Sequence, residues 1–332
     1  MRIALDAMGG DDAPRAMVQG ALDWAKLNPT HQVILVGRTM DIQDVLRRES
    51  PQGTPANVLI EDAPEVIGMA EKIKALKERP DDSMNRSAKL VKSGGADAMV
   101  LCGNTGCSVA AAQLHLRRIP GVKRAGILVP LPTVSGKHTW CCDMGANAEC
   151  RPEHLVQFAE MTSALLESVY GRMNPRVGVL SIGEEDEKGV VLTQETRTLL
   201  EQTKLNFIGN VEGHHIYDGT VDVVVCDGFT GNIVLKVSEG VFDAVVNILK
   251  QEIGNSVRNQ IGAAVMRPAF RALKQRAHWS TVGGCPLVGV DGVTIIGHGR
   301  SDRVAVCNAL EQAAKCVTGK VIDRLRAYYK VG

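Results

Sequence analysis

Two stretches of the chain join an apolar strand to a helix through a short turn that contains Thr-Gly. The first is Ala98-Met99-Val100-Leu101-Cys102-Gly103-Asn104-Thr105-Gly106-Cys107. The second is Val223-Val224-Val225-Cys226-Asp227-Gly228-Phe229-Thr230-Gly231-Asn232. A strand that enters a helix through glycine presents bare N–H groups at the positive end of the helix dipole, so each unit predicts an anion cradle. Two cradles in one chain fit a substrate with phosphate or developing oxyanion character. Asn232 can donate its amide to a carbonyl oxygen that is becoming an oxyanion. The plainer alternative is that Asn232 caps the helix that follows.

Five further turns fall where strands should end. In Asp6-Ala7-Met8-Gly9-Gly10-Asp11-Asp12-Ala13-Pro14, Gly9 and Gly10 would lie beside a ligand at the carboxyl end of a parallel strand. The alternative is an ordinary turn with an aspartate cap and Pro14 in the first helical turn. Asp143-Met144-Gly145-Ala146-Asn147 is a second such turn. Gly183-Glu184-Glu185-Asp186-Glu187-Lys188-Gly189 is a third, in which Lys188 is a cation suited to holding a phosphate, against the alternative of a solvated loop. Gly283-Gly284-Cys285-Pro286-Leu287 and Gly297-His298-Gly299-Arg300-Ser301 complete the set. His298 is either a proton shuttle or a structural histidine.

The nine cysteines fall mostly in apolar strands and read as small buried hydrophobes of a reducing compartment. Cys141, Cys142, Cys150 and His154 form a zinc alternative, without any CxxC pair. Cys107 is the thiol nearest a cradle, with no obvious histidine partner. The chain has no GxxxxGK[ST], no GxGxxG after the first strand and no GxSxG elbow. These absences weaken ATPase, dinucleotide-binding and serine-hydrolase readings, and no cofactor or metal is expected.

The elements that must hold these turns alternate strand and helix. Apolar runs predict strands at 3–7, 32–37, 57–61, 97–102, 126–130, 139–143, 176–182, 206–211, 221–226 and 293–297. Helices are predicted at 13–27, 40–49, 84–92, 106–116, 152–170, 192–202, 232–253, 257–277 and 303–329. Several strands are apolar throughout, as parallel strands covered on both faces are. The expectation is a doubly wound, mostly parallel three-layer α/β/α fold, with 1–332 as a single unit. A composition of 45% hydrophobic and 4% aromatic residues puts the core on aliphatic side chains. A net charge of +1 gives no field for nucleic acid. The N-terminus does not read as a signal peptide and no apolar run approaches a spanning helix, so a cytoplasmic protein is expected.

Residues 232–277 break the rhythm as two consecutive helices, a projecting hairpin with its turn near Gly254-Asn255-Ser256. Ile253, Val257, Ile261, Ala264, Val265 and Met266 recur three or four apart near the turn, beside Arg258, Arg267, Arg271, Lys274 and Arg276. An apolar stripe next to cations suits reversible attachment to an anionic membrane surface. A dimer contact or ordinary core packing is the alternative.

The ordered set Asp6–Pro14, Gly103–Gly106, Asp143–Asn147, Gly183–Glu185, Lys188-Gly189, Asp227–Asn232, Pro286-Leu287 and His298–Ser301 resembles the bacterial fatty acyl-ACP:phosphate acyltransferase family over nearly the whole chain. That family usually has alanine where Cys107 and Cys285 stand, often valine at Met144, and a tyrosine shortly before Gly283 that is missing here. The resemblance implies that inorganic phosphate attacks the thioester of a long-chain acyl-carrier protein. Acyl phosphate would then feed glycerol-3-phosphate acylation by a membrane enzyme in phospholipid synthesis. It implies a fold like that of phosphotransacetylases and isocitrate/isopropylmalate dehydrogenases, a homodimer, and no need for a thiol at Cys107. With the residue reading it gives Lys188 and Asn232 as catalytic. Gly9, Gly10, Gly103, Asn104, Thr105, Gly106, Asn147, Thr230, Gly231 and His298 would bind substrate, and Ile253, Val257, Arg258, Ile261 and Val265 the membrane. Docking of the acidic carrier protein by the same basic hairpin residues is the other alternative. A phosphotransacetylase-like enzyme using acyl-CoA, a metal- and NAD-dependent decarboxylating dehydrogenase and a non-enzymatic membrane scaffold are the rivals.

Overall fold

The computed structural model describes residues 1–277 and 283–330, without the side chains of residues 274–277. Lys274 and Arg276 of the basic set therefore lie outside the described side chains.

Twelve strands form two sheets among the described residues. The first contains β1 (Arg2–Asp6), β2 (Gln32–Gly37), β3 (Val58–Asp62), β4 (Ala98–Leu101), β5 (Gly126–Ile127), β11 (Cys285–Val288) and β12 (Val293–Ile296), in the order β3-β2-β1-β4-β12-β11-β5. Its first five strands run parallel, and β11 is antiparallel to both its neighbours. The second sheet has β6 (Val129–Pro132), β7 (His138–Cys142), β8 (Arg176–Leu180), β9 (Asn206–Val211) and β10 (Val223–Val225), in the order β6-β7-β10-β8-β9. Only β6 is antiparallel there.

The helices are α1 (Arg15–Leu27), α2 (Thr39–Glu49), α3 (Ala75–Glu78), α4 (Ser83–Lys92), α5 (Thr105–Leu116), α6 (Pro152–Tyr170) and α7 (Val191–Leu200). They continue with α8 (His215–Asp218), α9 (Gly228–Gly254), α10 (Val257–Val265), α11 (Arg267–Ala277), α12 (Arg303–Thr318) and α13 (Val321–Lys330). One buried cluster runs from Ile3 and Trp24 through Val306 to Phe158 and Val177, so the two sheets share a core layer. Parallel strands buried on both faces explain the unbroken apolar runs, as in Val223–Val225.

The structure corrects the sequence reading in several places. The predicted strand at 126–130 is two strands, and the chain crosses from one sheet to the other at Leu128, whose N–H donates to Pro286 O (2.9 Å). Residues 285–288 form β11 rather than a turn. Gly284 allows that strand to approach α12, since a β-carbon there would sit 3.2 Å from the Ala309 β-carbon. The helix expected over 257–277 breaks at Met266, where Pro268 starts a new first turn. The one expected over 303–329 breaks at Gly319-Lys320, with Lys320 at φ 51.

α9 and α10 leave the layered body. α10 packs along α9 and buries none of its residues among those described. Ser256 caps it, its Oγ accepting from Asn259 N at 3.1 Å. No helix among the described residues is long and apolar enough to cross a membrane.

Candidate active site

Asn104 and Asp227 begin the two helices that open onto one cleft. Asn104 Oδ1 accepts from Cys107 N (3.0 Å), and its Nδ2 donates to Met69 O (2.6 Å) and Glu71 O (3.2 Å). The Asn104 side chain is thus spent on the cap and on the loop before α3. The N–H groups of Thr105 and Gly106 point outward with no hydrogen bond among the described residues, at the positive end of α5. This is an anion cradle.

The second Thr-Gly unit is different. Asp227 Oδ1 accepts from Thr230 N (2.9 Å), and Oδ2 accepts from Thr230 Oγ1 (2.7 Å). Gly231 N donates to Asp227 O (2.9 Å), and Gly228 N donates to Asn147 O (2.8 Å). A carboxylate already occupies the positive end of α9, so this turn is not a second free cradle. Gly231 is required for contact, because a β-carbon there would clash with Asp143 O. Since Asp227 caps α9, Asn232 lies inside the helix, and its amide has no protein partner among the described residues. It lies against Gly145, where a β-carbon would sit 3.5 Å from Asn232 Oδ1.

The turn after β7 is also internally satisfied. Asp143 Oδ1 accepts from Ile127 N (3.0 Å), Gly145 N (3.2 Å) and Ala146 N (3.0 Å). Its Oδ2 accepts from Asn147 N (2.7 Å) and Asn147 Nδ2 (2.8 Å). Asn147 therefore serves the turn rather than a ligand. The first turn is similar: Asp6 Oδ1 accepts from Met8 N (3.0 Å). A β-carbon on Gly9 would lie 2.6 Å from Gly103 N, so Gly9 is a glycine because two turns touch, while one on Gly103 would press into the Met84 methyl. Gly10 has φ +107, and the neighbouring Asp11 N donates to Gly299 O (2.8 Å), which ties the first turn to the last.

These turns surround a cavity of about 1050 Å³. Thr105, Gly106, Gly145, Asn232, His298 and Arg300 are in its lining, with Val129, Leu131, Leu235 and Phe242 among its apolar walls. Gly9, Gly10, Gly103, Asn104, Asn147, Thr230 and Gly231 shape the walls from behind and are not in the lining. Lys188 is not in it either. Its loop is fastened by Glu184 Oε1, 3.2 Å from His215 Nε2, by Asp186 on Arg197, and by Glu185 O accepting from Asn210 Nδ2 (2.7 Å). The exposed Lys188 ammonium has no ion-pair partner among the described residues.

The lysine and arginine that do line the cleft are Lys236 and Arg300. Lys236 pairs with Glu239 (2.9 Å), while the Arg300 guanidinium has no protein partner among the described residues. The sequence reading missed both as site residues. The available signal was the position of Lys236 one turn beyond Asn232, and of Arg300 two residues beyond His298. His298 Nδ1 accepts from Arg300 N (3.1 Å), so the neutral ring carries its proton on Nε2. Burial, with Lys236 and Arg300 nearby, lowers its pKa against the opposing charge of Glu239.

The thiols are unsuited to nucleophilic work. Burial pushes Cys285 up to about 12 and also raises Cys107, helped by Asp82 and Glu71. Cys141, Cys142, Cys150 and His154 do not converge as ligands among the described residues. Glu184, His214 and His215 do approach within 4.8 Å. There, however, His215 Nδ1 accepts from Glu212 N (3.0 Å), which leaves the neutral ring's proton on Nε2 facing Glu184.

Residues 1–324 match the family described as fatty acid synthesis protein. The chain is 44% identical over 329 residues to the phosphate acyltransferase of Desulfitobacterium hafniense (strain Y51), covering 98% of this chain and 96% of the relative. The chain belongs to the phosphate acyltransferase family. Its likeness extends to the enzyme of the same name from Thermosynechococcus vestitus, at 43% identity over 99% of this chain and 95% of the relative. As a member of this family the protein is an enzyme, a transferase. The fold is that of a phosphotransacetylase from Streptococcus pyogenes (TM-score 0.63, 15% identity, 97% of this chain and 94% of that one). It is also that of 4-hydroxythreonine-4-phosphate dehydrogenase from Klebsiella pneumoniae (TM-score 0.56, 12% identity, 96% and 99%). The dehydrogenase-like three-layer expectation holds.

Proposed function

We propose that this phosphate acyltransferase moves a long-chain fatty acyl group from acyl-carrier protein to inorganic phosphate. A phosphate oxygen attacks the thioester carbonyl carbon, and the tetrahedral intermediate expels the carrier thiolate. The proton of monohydrogen phosphate passes to that thiolate, leaving acyl phosphate and free carrier thiol. The nucleophile is phosphate itself, so no activated side chain is needed, and the raised Cys107 and Cys285 thiols stay out of the chemistry. Alignment and oxyanion stabilisation supply the rate.

The observation that carries this reading is one cleft that joins free donors to an apolar channel. Thr105 and Gly106 offer backbone N–H groups, Asn232 an uncommitted amide and Arg300 an uncommitted cation. Asn232 stabilises the thioester oxyanion, the α5 cradle and Arg300 hold phosphate, and His298 contacts substrate. Lys188 approaches phosphate from the loop after β8. The neighbouring apolar walls take the acyl chain.

Acyl phosphate would then pass to a membrane glycerol-3-phosphate acyltransferase. The exposed α10 stripe Val257, Ile261 and Val265, 72%, 62% and 76% exposed and four residues apart, touches the bilayer with Arg258 beside it. Ile253 is half-buried at the turn and supports this stripe. The exposed α9 stripe Ile233, Val237, Val241 and Val245 meets a second copy in a homodimer. A cytoplasmic enzyme peripherally attached to the membrane follows.

Purified protein should form acyl phosphate from hexadecanoyl-carrier thioester and phosphate without nucleotide or added metal. Faster turnover with hexadecanoyl-CoA than with the carrier thioester would select the phosphotransacetylase-like reading. A strict requirement for NAD or a divalent metal would overturn both.

A further inference from the structure

Beyond the polar groups, the cleft contains one hydroxyl pair that the chemistry does not use. Tyr217, on α8, meets Ser238, on α9, through their hydroxyls. Ser238 Oγ donates to Val234 O (2.6 Å), so its only proton is spent and Tyr217 O–H must be the donor to Ser238. The phenol is therefore satisfied within the protein and fixed in place. The Tyr217 main-chain carbonyl also accepts from Val134 N (2.9 Å), just past β6, which fixes its backbone. Both residues line the cleft, and the ring packs on the same core cluster as Leu235.

The helix gives the scale. Ser238 is six residues beyond Asn232, about 9 Å along the α9 axis at 1.5 Å per residue. An extended chain advances roughly 1.2 Å per bond, so 9 Å is the reach of about seven or eight bonds. The lining continues along α9 to Asp243, about 16 Å from Asn232. An acyl group with its carbonyl at Asn232 would thus meet Tyr217 near its middle, and a short one would end before it.

We propose that Tyr217, held by Ser238, is the residue that sets the acyl-chain-length preference of this cleft. The proposal rests on the acyl-transfer reading above. The ring walls the distal half of the channel and supplies apolar contact only to chains long enough to pass Ser238. Each methylene buried there adds about fourfold in affinity. Short chains gain nothing from it.

The test compares kcat/KM for hexanoyl-, dodecanoyl- and hexadecanoyl-carrier thioesters in wild type, Tyr217→Phe and Tyr217→Ala. Tyr217→Ala should lower the hexadecanoyl-to-hexanoyl ratio by about tenfold or more, through KM, while hexanoyl stays within about twofold. Tyr217→Phe keeps the ring and should recover most of the ratio, which separates wall from hydrogen bond. Equal losses at every chain length would make Tyr217 merely structural and overturn the proposal. An unchanged ratio would place the chain elsewhere and overturn it too. A wild type that forms acyl phosphate from none of the three thioesters would refute the acyl-transfer reading itself, and the wall with it.

Discussion

Asn104 and Asp227 stand at equivalent places at the starts of α5 and α9, and one is neutral where the other is charged. Asn104 Oδ1 takes Cys107 N at 3.0 Å and Asp227 Oδ1 takes Thr230 N at 2.9 Å. The same cap geometry leaves α5 with an open positive end and α9 with a neutralised one. Asp227→Asn should keep the cap, because asparagine caps as well as aspartate, and unmask the α9 dipole. The phosphate KM should fall about two- to fivefold, matching roughly 0.3–1 kcal/mol, with little change in Tm. A higher phosphate KM in steady-state assays would show that the Asp227 charge aids binding.

Asn232 carries the oxyanion assignment. Its amide has no protein partner among the described residues, so Asn232→Ala breaks no internal bond. Turnover should drop by roughly a hundredfold or more with unchanged thermal unfolding, the loss typical of one oxyanion donor. Near-wild-type turnover removes Asn232 from the mechanism.

Arg300 and Lys188 compete for the phosphate. Arg300 lines the cleft and Lys188 does not. Arg300→Ala should raise the phosphate KM by about tenfold, as loss of a charge-assisted contact does. Lys188→Ala tests whether the loop after β8 reaches the ligand. A raised phosphate KM in Lys188→Ala alone would move the phosphate to that loop.

Asp6 predicts a pH dependence. Burial, with Asp82 nearby, raises its pKa from 3.8 to about 6. Between those values the folded protein holds a proton that the unfolded chain has lost. Stability therefore falls as pH rises from about 4 to about 6, by up to about 3 kcal/mol, and levels off above. Asp6→Asn should flatten that window and be the more stable form at neutral pH. Urea unfolding midpoints at pH 4, 5, 6 and 7 measure it, and parallel profiles for the two proteins would count against this account of Asp6.

The α10 stripe predicts membrane attachment. Wild type should float with anionic vesicles, and Val257→Glu combined with Ile261→Glu should stay in solution while turning over carrier thioester normally. These side chains are exposed, so the double variant should fold. If wild type fails to float, or if the variant loses its fold, the stripe is a packing surface.

The sequence by itself determined the strand–helix alternation, because parallel strands covered on both faces must be apolar throughout and turns between layers must carry glycine. It also placed Thr105, Gly106 and His298, which line the cleft, just beyond strand ends, and it put the Lys188 turn with them although Lys188 is not in the lining. Pattern could not show how each glycine is used. Gly9, Gly103 and Gly231 look like ligand glycines in one dimension, yet Gly9 and Gly231 are small because another backbone touches them, and Gly103 because the Met84 side chain does. Nor could it show whether a turn's donors are free, since Asp143 and Asp227 spend theirs inside the protein. The split of residues 126–132 between two sheets, the formation of β11, the entry of Arg300 and Lys236 into the cleft and the meeting of Tyr217 with Ser238 were decided only by tertiary structure. Each depends on a partner distant in sequence, and local propensity does not encode distance between elements.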